Sequence, residues 1–120
     1  MLSTYSLIPV FKGDMITKFK AVKSSEEIKN IRNSQIKDGV ALVHFLEWLY
    51  KEVPNGLVTE IDVADKLAYF RSKQAYNLGS SFNTIAGYGQ NAAMMHYSAT
   101  KEKHAILKEK GYLLFDSGGQ

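Results

Sequence analysis

Ser81-Phe82-Asn83-Thr84-Ile85-Ala86-Gly87-Tyr88-Gly89 is the stretch where the pattern of the chain changes, and its reading decides the fold. Upstream of it, apolar residues recur at helical spacing. From here on, β-branched and aromatic residues are punctuated by glycine, which is the composition of strands and tight bends. Residues 81–86 read as a strand, and Gly87-Tyr88-Gly89 bends the backbone. Residues 92–97 read as a second short extended piece, so that the two form a hairpin-like pair. After a polar loop over 98–104, Gly111-Tyr112-Leu113-Leu114-Phe115-Asp116 reads as a buried strand that ends in Ser117-Gly118-Gly119.

Working back towards the N-terminus, Ser24 and Glu27 form a capping box, in which each side chain satisfies the other's orphan amide. Apolar residues follow at Ile28, Ile31, Ile36, Val40, Val43, Leu46 and Leu49 or Tyr50, which predicts one long helix with that face inward. Lys29, Asn30, Asn33 and Lys37 occupy the other side. Gly39 inside this helix costs about 1 kcal/mol relative to alanine, and a close backbone approach is the expected reason for it. Pro54-Asn55-Gly56 ends the helix.

Thr59-Glu60-Ile61-Asp62 opens a second helix, with acids placed to complement the helix dipole. Val63, Leu67 and Phe70 line one face, and the helix fades by Gln74 before the Asn77-Leu78-Gly79 turn. Residues 1–23, punctuated by Pro9 and Gly13-Asp14, read as a connector in which Ile16, Phe19 and Val22 form a short strand or an irregular arm. Residues 24–120 then make one α+β unit, two helices followed by an antiparallel sheet.

The composition excludes several functions. Basic and acidic residues number 15 and 12, a net charge of +3 without a basic stripe, so nucleic acid is not an expected partner. There is no cysteine, hence no disulfide framework and no thiolate metal site. The apolar runs are too short to span a bilayer, and residues 1–10 lack the basic start and cleavage site of a signal peptide. A cytoplasmic location is the default expectation.

Two residues are candidates for chemistry. Asp116 is a carboxylate at the end of a hydrophobic strand, a rigid mount for a metal ligand. An aspartate before Ser-Gly-Gly is also an ordinary turn initiator. His96 could shuttle a proton or polarise a carbonyl, or it could be a hydrogen-bonded structural histidine. His44 and His104 read as structural or solvated, and Met94-Met95 as core. Gly87-Tyr88-Gly89-Gln90-Asn91 lacks phosphate-loop spacing, and the chain has neither H-E-x-x-H nor a Ser-His-Asp arrangement.

Ile31-Arg32, Asp38-Gly39-Val40-Ala41, Thr59-Glu60, Ser81-Phe82-Asn83-Thr84-Ile85, the stretch from Gly89-Gln90-Asn91 to His96-Tyr97, and Leu114-Phe115-Asp116-Ser117-Gly118-Gly119-Gln120 occur in that order. Together they resemble the catalytic domain of the Xaa-Pro aminopeptidase (aminopeptidase P) family over roughly residues 20–120. The resemblance implies the first half of a pita-bread fold. It implies a peptide substrate with proline at the second position, and two divalent metal ions, manganese in many members, held by two Asp, one His and two Glu. Asp116 matches the first ligand aspartate, and His96 matches a histidine that binds substrate or stabilises the transition state.

The remaining ligands of the family pattern have no counterpart before Gln120, so residues 24–120 are expected to be a truncated N-terminal part of the catalytic domain. Such a piece is expected to be inactive alone, to hold no stable dinuclear centre, and to lack the half-domain that would cover it. Exposed apolar surface follows, and with it either self-association, as in a homo-oligomer, or marginal stability. The alternatives are a non-catalytic pita-bread relative used for binding or assembly, and a prolidase fragment.

Overall fold

The computed structural model describes residues 13–120, which fall into two units divided between Arg32 and Asn33. In the first unit, α1 (Met15–Ala21) is a short helix where the sequence pattern offers a strand or an irregular arm. Asp14 decides this locally. Its side chain accepts from the Ile16 amide at 2.9 Å, which caps the helix. Lys18 and Lys20 lie in the last turn, where the dipole favours cations. The long helix α2 (Ser25–Glu52) begins as its capping box predicts. The Ser24 amide donates to Glu27 at 2.7 Å, and the Glu27 amide donates to Ser24 Oγ at 3.2 Å.

The second unit holds the core. Phe45 of α2 is fully buried, with Val63 and Leu67 of α3 (Glu60–Ser72) beside it. Val58, Ala86 and Leu107 complete the cluster. Phe115 meets the edge of Phe45 with ring centroids 5.5 Å apart, and Trp48 packs on it at 6.0 Å. Burying a side chain such as Phe45 or Leu67 stabilises by about 1.5–3 kcal/mol. A capping box starts α3 as expected, with the Thr59 amide donating to Asp62 at 2.8 Å and the Asp62 amide to Thr59 Oγ1 at 3.2 Å.

The buried face of α2 differs from the expected one. Ala41 and Phe45 are buried, and Leu42, Trp48 and Leu49 pack against the core. Ile36, Val40, Val43, Leu46 and Tyr50 are exposed. Both stripes have helical spacing, so periodicity alone could not say which turns inward. Gly39 also departs from expectation: a Cβ built there meets no atom within 4 Å. No close approach requires glycine at that position.

The sheet is antiparallel and has two strands, β1 (Ile85–Tyr88) and β2 (Leu113–Asp116). Ile85 pairs with Asp116, and Tyr88 with Leu113. The partner of β1 is therefore the distant β2 and not residues 92–97. After Tyr88 the chain closes into a 3-10 turn, Gly89–Ala93. Gly87 permits this tight return, since a Cβ there would lie 2.8 Å from the Asn91 carbonyl oxygen. With the chain folded back so soon, no second hairpin strand forms, and Met94 and Met95 are exposed rather than core. β2 alternates between half-buried and exposed residues instead of being buried throughout. Among the described residues, no helix is long and apolar enough to cross a membrane.

Candidate functional site

Asp116 is the last residue of β2, and its backbone is paired to Ile85. The chain does not turn there. It runs on beside residues 78–81, with Ser80 bridged to Gly119. The Ser81 amide donates to the Gly118 carbonyl at 3.0 Å, and the Gln120 amide to the Gly79 carbonyl at 2.8 Å. Gly118 fits because a Cβ there would collide with the Ser81 hydroxyl. The turn-initiator reading of Asp116 is thus excluded. Its exposed carboxylate stands on extended backbone held on both sides of it. The residues after it, Ser117 to Gln120, line an open cleft of about 380 Å³ together with Asp38, Arg71 and Tyr76.

His96 lies beyond the 3-10 turn, exposed, with φ +55. That is the left-handed region, which few residues with a Cβ occupy, although histidine is among the more tolerant. Its neighbour Tyr97 is buried.

Glu60 is the buried centre of this region, with no exposed surface. Its Oε1 accepts from the Tyr88 amide at 2.6 Å and from Asn91 Nδ2 at 2.9 Å. Its Oε2 accepts from the Tyr97 hydroxyl and the Ala105 amide, both at 2.7 Å, and from Asn91 Nδ2 at 3.1 Å. Burial pushes the carboxyl upward, but the hydrogen bonds from Tyr88, Tyr97, Ala105 and Asn91 outweigh it and hold the group below the usual carboxylate range. For Tyr97, burial and the Glu60 anion push the hydroxyl up to about 12.

The sequence pattern gave Glu60 only a helix-dipole role. A signal was present, since Glu60 shares the helical face of Val63 and Leu67, both buried. A charge on an apolar face is buried with partners or not at all.

An ion pair fastens α2 to α3. Arg71 Nε donates to Asp38 Oδ1 at 2.6 Å, and Nη2 to Oδ2 at 3.4 Å, with Arg71 buried. His44 stacks on Phe70 at 6.0 Å, and His104 Nδ1 lies 2.9 Å from the Thr100 carbonyl. Both behave as structural or solvated side chains.

A divalent metal pair needs several hard oxygen and imidazole donors converging on it. Among the described residues, no group of three or more His, Asp or Glu side chains could hold a metal ion. Asp116 can supply one oxygen ligand, and these residues alone do not fit a dinuclear centre.

Comparison with known proteins gives the class first. Residues 29–120 match the metallopeptidase family M24, and the chain belongs to that family. Its relatives narrow the likeness to Xaa-Pro aminopeptidases. It is 45% identical over 106 residues to Xaa-Pro aminopeptidase 2 of Sus scrofa, covering 88% of this chain and 16% of that protein. It is 40% identical over 112 residues to aminopeptidase P2 of Arabidopsis thaliana, covering 92% of this chain and 16% of that protein. Among solved structures, it superposes on X-prolyl aminopeptidase from Caenorhabditis elegans, described as a cytosolic enzyme with a di-nuclear active site. That match has a TM-score of 0.81 and 37% identity, and covers 88% of this chain and 18% of that one. The α+β arrangement found here is thus part of that enzyme's fold, and the chain spans less than a fifth of the length of these relatives.

Proposed function

We propose that this chain is the part of an Xaa-Pro aminopeptidase catalytic domain that carries the first carboxylate metal ligand, Asp116, and a substrate-facing histidine, His96. The whole enzyme would remove an N-terminal residue preceding proline, with two divalent ions, manganese by the family pattern, supplying the Lewis acid and the activated water. The observation that supports this most is the setting of Asp116. It stands on extended backbone with strand pairing on both sides, where a ligand is held rigidly, and not in a turn.

What this chain's own residues do is limited and definite. Asp116 presents a carboxylate oxygen. His96 presents an exposed imidazole from a bend anchored by Tyr97. The other donors of the family pattern have no counterpart here, so the chain alone is proposed to be inactive and to hold no stable metal pair. The half-domain that supplies them would be its partner, and the exposed stripe of α2 is apolar surface of the kind such a partner covers. A cytoplasmic location is proposed from the cytosolic relative.

The coding sequence downstream of Gln120 tests this reading. A continuing frame with a second aspartate in a Gly-Thr-Thr-Asp-like segment is expected. A stop codon directly after Gln120 in an intact transcript would instead favour a non-catalytic relative.

A further inference from the structure

We infer that Glu60 is a positioning residue for His96, tying both ends of the 91–97 loop to one buried carboxylate so that His96 is held in its left-handed conformation. The inference rests on the reading of His96 given above and adds what sets its geometry.

The donors that reach Glu60 are not scattered. Asn91 is the start of the loop and Tyr97 its end, and both bond the same carboxylate. Asn91 Nδ2 also donates to the Tyr97 hydroxyl at 3.0 Å, which closes a triangle of three side chains. The remaining donors, the Tyr88 and Ala105 amides, fix the segments that enter and leave this region. Between the two anchors, the Met94 amide donates to the Asn91 carbonyl at 3.1 Å, while Met95 and His96 face solvent. His96 therefore has φ +55 without burial of its own side chain to stabilise it. The left-handed conformation carries a modest cost even for histidine, so neighbouring constraints help to hold it. Here the constraint arrives through the next residue, Tyr97, which is buried and hydrogen-bonded to Glu60.

A role in core stability alone does not call for this arrangement. A buried charge stabilises a fold no better than an apolar residue of similar size. It does, however, demand donors at fixed positions, and here two of them bracket His96.

The test uses the isotope-labelled chain and its backbone chemical shifts. Wild type, Glu60→Gln, Tyr97→Phe and the double variant are compared. Wild type should show left-handed shifts at His96. Both single variants should lose them while the shifts of α2 and α3 stay in place, and the double variant should be no worse than the worse single one. If Glu60→Gln does not fold, Tyr97→Phe decides, because it removes one hydroxyl and leaves the other donors to Glu60. Retention of the left-handed shifts at His96 in the folded variants would overturn the inference, even if their melting temperatures fell. The role of His96 fails by a different result: a peptidase with its full ligand set that keeps its kcat/KM after His96→Ala. That outcome would leave the shift comparison standing.

Discussion

The Tyr97 hydroxyl donates to Glu60 at 2.7 Å, and both residues are buried. Hydrogen bonds hold the Glu60 carboxyl below its usual range. A depressed folded-state pKa gives stability that is fully present above the unfolded carboxylate value and is lost as pH falls through the folded value. The urea midpoint of the wild-type chain should therefore exceed that of Glu60→Gln at neutral pH, and the gap should close on acidification. A gap that stays constant down to strongly acidic pH would count against the assignment.

Arg71 is buried against Asp38, whose side chain is 34% exposed. Asp38→Asn keeps the shape but removes the charge from a bidentate pair, and should cost about 1–3 kcal/mol. Replacing both, as Asp38→Leu with Arg71→Met, should cost less than the sum of the single changes, because no buried charge is left alone. Denaturant titration of the three variants measures this. Strict additivity would show that the pair is not coupled.

Gly39 lies within α2 with no atom within 4 Å of where a Cβ would stand. Gly39→Ala should stabilise the chain by about 1 kcal/mol, from helix propensity and a less flexible unfolded state. A higher urea midpoint with an unchanged slope is the expected reading. A lower midpoint would mean that the site is occupied in solution.

Ile36, Val43 and Tyr50 are 67%, 65% and 82% exposed along one stripe of α2. The chain should self-associate through it, giving sedimentation coefficients that rise with concentration. Val43→Lys should abolish the rise. A wild-type chain that sediments as a monomer at every concentration would refute the prediction.

Much of this architecture was written locally. Ser24 with Glu27 and Thr59 with Asp62 marked both long-helix starts, because capping is settled within a few residues. Non-local choices were harder to read. Leu113 to Asp116 and the strand they join are separated by the whole 89–112 segment, and nothing in residues 85–88 names that partner over residues 92–97. The inward face of α2 depended on which of two apolar stripes met Phe115, again a distant residue. Gly13-Asp14 has the composition of a chain break, although the Asp14 side chain caps α1.

As candidates, Asp116 and His96 are legible from their neighbouring residues and from the resemblance. The structure adds their settings, a strand pairing that continues past Asp116 and a left-handed backbone at His96. Glu60 was hidden because an acid after a helix cap usually faces solvent. Its burial depends on donors from Tyr88, Asn91, Tyr97 and Ala105, which only the tertiary fold assembles.

Asp116 is proposed as one carboxylate ligand of a metal pair that the described residues alone do not complete. Incubating the purified chain with an Xaa-Pro peptide and manganese tests this most directly. The expected result is no hydrolysis above the buffer control. Turnover by the wild-type chain that disappears in Asp116→Asn would contradict it, because the described residues would then suffice for the chemistry.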